Sequence, residues 1–234
     1  MNQNKFIEEV KKIGLTITEF QLYQLDKYYN ILIKYNKVMN LTGITEKKQV
    51  YLKHFYDSLT ISKIIDLNSI NNLCDLGSGA GFPGIVLKIF YPNLKITLID
   101  SLNKRVKFLN EVIKELNLEN IVAIHSRIED YAKNKTEQFD VVTARAVSSI
   151  NILLELGINL VKVNKYFVFM KGNMEQEPDY INALNKLSCR QIDLIKFKLP
   201  IENSDRCLVK IEKLKNINKC YPRKYKDIIS KPLW

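Results

Sequence analysis

The chain is short of the residues that hold metals or staple secreted folds. Its 234 residues include four cysteines, Cys74, Cys189, Cys207 and Cys220, and two histidines, His54 and His125. No two cysteines form a Cys-x-x-Cys pair and neither histidine has a second ligand at workable spacing, so no metal is expected. Disulfides are not expected either, and a reducing compartment fits. No apolar run approaches the ~18–20 residues needed to cross a bilayer. Met1 to Val10 is polar and charged where a secretory leader carries an apolar core. A cytoplasmic protein with no membrane partner is therefore expected. Acidic residues are also scarce: 25 Asp and Glu against 36 Lys and Arg leave a formal net charge of +11. Such an excess points to an anionic partner, although an AT-rich genome raises lysine content by itself.

The first 66 residues read as helix. Thr18 with Gln21 three places on makes a capping box, and Leu22, Leu25, Tyr29 and Leu32 follow at helical spacing. A turn over Asn40 to Gly43 ends this helix, and a second runs from Glu46 towards Ile65 through Val50, His54, Leu59 and Ile61. From Asn71 short apolar runs alternate with helical patterns. Strands are expected near 71–75, 95–99, 121–125, 139–143 and 165–170, with helices from Pro83, from Asn103, near 149–160 and near 176–187. That alternation implies βαβ units and a parallel sheet. Two last extended stretches, about 190–198 and 206–213, are separated by a connection too short for a crossover, so they pair antiparallel.

The expected fold class is therefore α/β: a Rossmann-like, seven-stranded sheet of the class I methyltransferase type. It has a parallel core, an antiparallel C-terminal hairpin and an N-terminal helical extension. The expected division is a helical segment over 1–66, an α/β domain over 67–215 and a basic tail over 216–234 packed on or near it. The tail, with Pro222 and Pro232, reads as irregular and surface-lying.

The stretch from Asp75 to Gly84, Asp-Leu-Gly-Ser-Gly-Ala-Gly-Phe-Pro-Gly, joins the first strand to a helix. Glycines let a backbone turn sharply and approach a ligand where a Cβ would clash. Gly79, Gly81 and Gly84 also match the dinucleotide fingerprint, a weak signal alone. Asp75 two places before Gly77, the alternation of Gly77, Gly79 and Gly81, and the missing substrate half of a nicotinamide enzyme favour S-adenosylmethionine. Asp100, at the end of the second strand, suits ribose hydroxyls in either class. After the fourth strand the chain reads Thr143-Ala144-Arg145-Ala146, not the Asn/Asp-Pro-Pro-aromatic string of amine methylation, and no cysteine nucleophile stands there. The acceptor is then a ring nitrogen or an oxygen.

Several strings together resemble the RsmG (glucose-inhibited division protein B) family, guanine-N7 methyltransferases of small-subunit 16S ribosomal RNA. They are Asn40-Leu41-Thr42, His54 to Leu59, Asp75 to Gly84, Asp100-Ser101 with Lys104-Arg105 and Phe108-Leu109, and His125-Ser126-Arg127. Further along come Thr143 to Ala146, Lys171-Gly172, Lys198-Leu199-Pro200, Ser204-Asp205-Arg206 and Tyr221-Pro222-Arg223. Cys74 before Asp75, and a tail without a glycine after Tyr-Pro-Arg, depart mildly from the family pattern.

The resemblance implies cofactor contacts at Gly77, Phe82, Ile128, Glu129 and Arg145, with Asp100 nearby, and the alternating Gly79 and Gly81 complete that set. It implies the 16S ribosomal RNA or the small ribosomal subunit as partner, and a monomer is expected. Guanine N7 carries no proton, so alignment rather than a general base carries the reaction. Arg127, Arg145 and Arg206 are candidates for the base, with Lys171 as a phosphate or base contact. His54 and Asp57, three apart on one helix, read as a bracing contact more readily than as a catalytic pair. Tyr221 and Tyr225 among the basic residues of the tail suggest RNA contact.

Overall fold

The computed structural model describes residues 1–175 and 177–233. Seven strands form one sheet in the order β3-β2-β1-β4-β5-β7-β6. They are β1 (Asn72–Leu76), β2 (Lys95–Asp100), β3 (Ile121–His125), β4 (Phe139–Arg145), β5 (Val161–Lys171), β6 (Cys189–Lys198) and β7 (Asp205–Lys213). The first five run parallel, and β7 pairs antiparallel with both β5 and β6. The order reverses between β1 and β4, which opens a crevice beyond their C-terminal ends, where open α/β sheets take ligands.

The N-terminal helices are α1 (Gln3–Lys12) and α2 (Glu19–Met39). The capping box is reciprocal: Gln21 N donates to Thr18 Oγ1 at 3.2 Å and Thr18 N to Gln21 Oε1 at 2.9 Å. Asn40 ends α2 in the left-handed region, φ 50°. The helix expected from Glu46 towards Ile65 runs unbroken from Lys47 to Lys63, but its winding changes along the way. It comprises α3 (Lys47–Val50), a wide π turn over Tyr51–Tyr56, α4 (Asp57–Leu59) and a tight turn over Thr60–Lys63. Single π turns inside helices collect at functional sites, and this one carries His54. Leu25, Leu32 and Phe55 from this segment share one apolar cluster with Leu73, Leu98 and Val141 of the sheet.

The remaining helices cover the two faces of the sheet: α5 (Gly84–Phe90), α6 (Asn103–Glu115), α7 (Ile128–Asn134), α8 (Ile150–Gly157), α9 (Ile181–Lys186) and α10 (Tyr225–Ser230). The helix expected near 176–187 starts at Ile181, where Asp179 Oδ1 accepts from Ile181 N at 2.9 Å, and Gln176 lies outside the described residues. The tail differs most from expectation. It contains α10, and Ile228 and Leu233 are buried in the second apolar cluster with α8. Trp234 lies outside the described residues.

Candidate active site

The glycine turn leaves β1 at the crevice. Gly77 N and Ser78 N both donate to Ile99 O, at 2.8 and 3.1 Å, which ties the turn to β2. Gly77 has φ +66°, and a Cβ there would stand 2.6 Å from Val147 Cγ2. Asp100 holds the turn from the other side. Its Oδ2 accepts from Gly79 N at 2.9 Å and its Oδ1 from Leu102 N at 2.9 Å. Asp75 faces away from the crevice: its Oδ2 accepts from Gly84 N at 2.9 Å, and burial pushes its carboxyl up to about 7. Its Oδ1 and the neighbouring Thr143 Oγ1 are buried with no partner among the described residues.

Two cavities flank the crevice and share Ala146. The first, of about 270 Å³, is lined by Gly77, Asp100, Arg105, Arg127, Ile128, Glu129 and Tyr225 among others. The second, of about 340 Å³, lies between the N-terminal segment and the ends of β4, β5 and β7, and is lined by Lys53, His54, Asp57, Arg145, Lys171, Phe197 and Arg206 among others.

Charge pairing organises the second cavity. Asp57, 5% exposed, accepts from Arg145 Nη1 at Oδ2 (3.0 Å) and from Arg206 Nε at Oδ1 (2.9 Å). Arg145 also donates to Lys53 O at 3.1 Å and lies over the Phe82 ring, 5.3 Å from its centroid. His54 also stacks against the Phe82 ring, at 4.4 Å between centroids. Burial and the Arg145 charge lower the His54 imidazole to about 3, so it is neutral. Its Nε2 lies 2.8 Å from Thr42 Oγ1 and its Nδ1 3.5 Å from Arg145 Nη2. Both ring nitrogens are occupied, so the neutral ring serves as a wall rather than a proton shuttle. Lys171 donates to Ser148 O at 2.9 Å and pairs with Glu177 at 2.7 Å.

The model of the rRNA small subunit methyltransferase G family matches residues 21–209. The chain belongs to this family. It is 45% identical over 228 residues to ribosomal RNA small subunit methyltransferase G of Lysinibacillus sphaericus (strain C3-41), with 96% of each chain covered. It is 44% identical over 230 residues to the protein of that name from Bacillus subtilis (strain 168), covering 96% of this chain and 95% of the other. Among solved structures it is similar to M. jannaschii TYW2 in complex with AdoMet, with a TM-score of 0.55 and 16% identity over 74% of this chain and 80% of that one. It is also similar to the StiE O-MT structure (residues 961-1257), with a TM-score of 0.57 and 13% identity over 79% and 82%. At these identities the likeness speaks for the fold, the class I methyltransferase sheet.

Within the candidate site, the structure sorts the residues expected from sequence into separate places. Gly77, Asp100, Ile128 and Glu129 share the first cavity. Gly79 bonds to Asp100 through its backbone, and Gly81 packs against Ile85, where a Cβ would stand 2.6 Å from Ile85 Cδ1. Phe82 is buried beneath Arg145 and His54. Arg145, Lys171 and Arg206 come together in the second cavity, while Arg127 lines the first. Among the described residues His54 and Asp57 share no hydrogen bond; the Asp57 carboxylate is taken by the two arginines. Sequence reasoning missed that pairing, and also the places of Phe197, Arg105 and Tyr225. The Lys104-Arg105 string was a visible signal for Arg105; Phe197 offered none beyond its strand. No group of three or more His, Cys, Asp or Glu able to hold a metal occurs among the described residues, and no helix there is long and apolar enough to cross a membrane.

Proposed function

We propose that the protein transfers a methyl group from S-adenosylmethionine to N7 of a guanosine in 16S ribosomal RNA of the small subunit. The family, and relatives named for small-subunit ribosomal RNA methylation, support the RNA as substrate. The observation that carries the assignment of sites is the pair of neighbouring cavities that share Ala146 as a lining residue, at the C-terminal ends of the parallel strands.

The first cavity fits S-adenosylmethionine. Gly77, where a Cβ would stand 2.6 Å from Val147 Cγ2, lets the backbone itself line the cavity on the side assigned to the methionine part. Asp100 offers a carboxylate to the ribose, and Ile128 with Glu129 follows β3 at the adenine end. Such a cofactor supplies a methyl on a positively charged sulfur, an activated donor. The second cavity takes the guanine. N7 has an in-plane lone pair and no proton, so the neutral His54 is no obstacle and no base is needed. Arg145 and Arg206, fixed by one carboxylate, present guanidinium groups of the kind that read N7 and O6. Lys171 adds a cation at the same cavity for base or phosphate. Alignment of this kind supplies roughly 7–11 kcal/mol in favourable cases. The proposal extends to action as a monomer in the cytoplasm, where ribosomal RNA is found.

The test is methyl transfer from labelled S-adenosylmethionine to small-subunit RNA or assembled subunits, followed by nucleoside analysis. Label in 7-methylguanosine is expected; label on adenine or cytosine sinks the assignment. RNA affinity should fall by ~10³–10⁵ between ~50 and ~200 mM salt if about 6–10 phosphates are contacted.

A further inference from the structure

The geometry points to Tyr225, the first residue of α10, as the outer wall of the adenosine half of the cofactor cleft. This rests on the assignment of the first cavity to S-adenosylmethionine. It gives the C-terminal tail a role in holding the cofactor in place of the RNA contact its composition suggested.

The tail is fixed to the domain. Arg223 clamps Glu155 of α8 with two bonds, Nε to Oε1 and Nη2 to Oε2, both 2.6 Å, and its backbone N adds a third at 3.2 Å. Glu155 is wholly buried, so the pair is held in a low-dielectric setting and its geometry is closely defined. Asn159 Nδ2 donates to Tyr221 O at 2.6 Å, and Ile228 is fully buried beside α8. These anchors sit on both sides of Tyr225 in sequence and fix the backbone that carries it.

Tyr225 is delivered to the cavity that holds Gly77, Asp100, Ile128 and Glu129. Within it, Gly77 lies at the end of β1, Asp100 at the end of β2, and Ile128 with Glu129 beyond the end of β3. Tyr225 stands at the β3 end, because the Arg127 guanidinium, next to Ile128 in sequence, lies over its ring at 5.9 Å from the centroid. Tyr225 is 45% exposed although its helix is anchored to the domain. The guanidinium lies over one face of the ring, and the outer face of either group is suited to a purine, which stacks on aromatic and guanidinium planes alike. The amino-acid end of the cofactor needs neither. The family model's match ends at residue 209, so α10 lies beyond it.

The experiment is calorimetry on the full chain with two probes, S-adenosylhomocysteine and 5′-methylthioadenosine, which lacks the amino-acid half. Tyr225→Ala should weaken both by the same factor, about tenfold, the size of one lost stacking contact. Tyr225→Phe keeps the ring and should bind like the parent. Gly77→Val tests the cleft itself. If Tyr225→Ala binds both probes like the parent while Gly77→Val does not, the cleft stands and the role of α10 is overturned. If neither substitution changes binding, the cleft itself is misassigned. A loss confined to S-adenosylhomocysteine overturns the proposal too, since it places the ring at the other end. So does a Tyr225→Phe variant as weak as Tyr225→Ala. The ring is nearly half exposed and buries little, so loss of binding through unfolding is checked by an unchanged melting temperature of the free protein; if Tyr225→Ala melts early, Arg127→Met, which removes the guanidinium but not the ring, must weaken both probes alike, and no change there overturns the pairing.

Discussion

Asp57 and Arg206 lie 149 residues apart in the chain, yet Arg206 Nε donates to Asp57 Oδ1 at 2.9 Å. The second carboxylate oxygen takes Arg145, so one buried acid orients both guanidinium groups in the second cavity, the one proposed for the acceptor. Asp57→Ala should therefore act on the RNA side of the reaction. Methyl transfer is expected to fall at least tenfold in kcat/KM, with S-adenosylhomocysteine affinity unchanged. Leaving Arg145 without its partner in a largely buried place should also cost about 3 kcal/mol of stability. Urea denaturation measures that loss; a variant as stable and as active as the parent removes Asp57 from the site.

Gly84 and Asp75 make a different kind of prediction. A Cβ on Gly84 would stand 2.2 Å from Leu98 Cδ2 and 2.9 Å from Asp75 Oδ2, so this glycine serves the packing of α5 on the sheet. Gly84→Ala should cost about 1–3 kcal/mol, as overpacked cores do. The measurement is the denaturation midpoint without any ligand. A neutral result there means that the strand and helix separate more easily than the contact implies.

His54 supplies a pH dependence. Burial holds its imidazole at about 3, against an ordinary value of about 6.5 in the unfolded chain. Between those values the unfolded chain binds a proton that the native ring refuses, so stability falls as pH drops through this window. From pH 7 to pH 5 the parent should lose about 2 kcal/mol more than His54→Gln, which has no such proton to bind. Equal losses in parallel urea titrations would show that the ring is accessible to protons in the native state.

Lys171 tests the charge of the acceptor cavity. Its pairing with Glu177 at 2.7 Å keeps it fixed at the cavity wall. Lys171→Met should weaken RNA binding across sequences and lower the slope of log affinity against log salt by about one, the mark of one lost phosphate contact. An unchanged slope with weaker binding assigns Lys171 to the base instead, and no change at all takes it out of the interface.

Much of the sheet was legible because its signals are local. The apolar runs of β1, β2 and β3 lie where the alternation with helical patterns put them, within a residue. The short link between β6 and β7 allowed only an antiparallel pair, which the register shows from Cys189 with Lys213 to Lys198 with Asp205. The π winding around His54 was not legible, because a π turn keeps a helix-like spacing of apolar residues while widening the backbone between them. The tail was misread because its composition is that of a solvated segment, whereas its place depends on Glu155, an acid 68 residues earlier that nothing near Arg223 announces.

The sequence by itself determined the class of fold, the glycine turn with Asp75 and Asp100 around it, and the family. All three rest on short strings or on periodicity, which act through neighbours in the chain. Only the tertiary structure decided how the site divides. It sent Arg127 to the first cavity with Tyr225 and gathered Arg145, Lys171 and Arg206 in the second. The physical reason is that each of those cations is placed by a partner remote in sequence or by the crossing of strands. A charge with several possible partners takes the one that burial and sheet order bring within hydrogen-bonding reach.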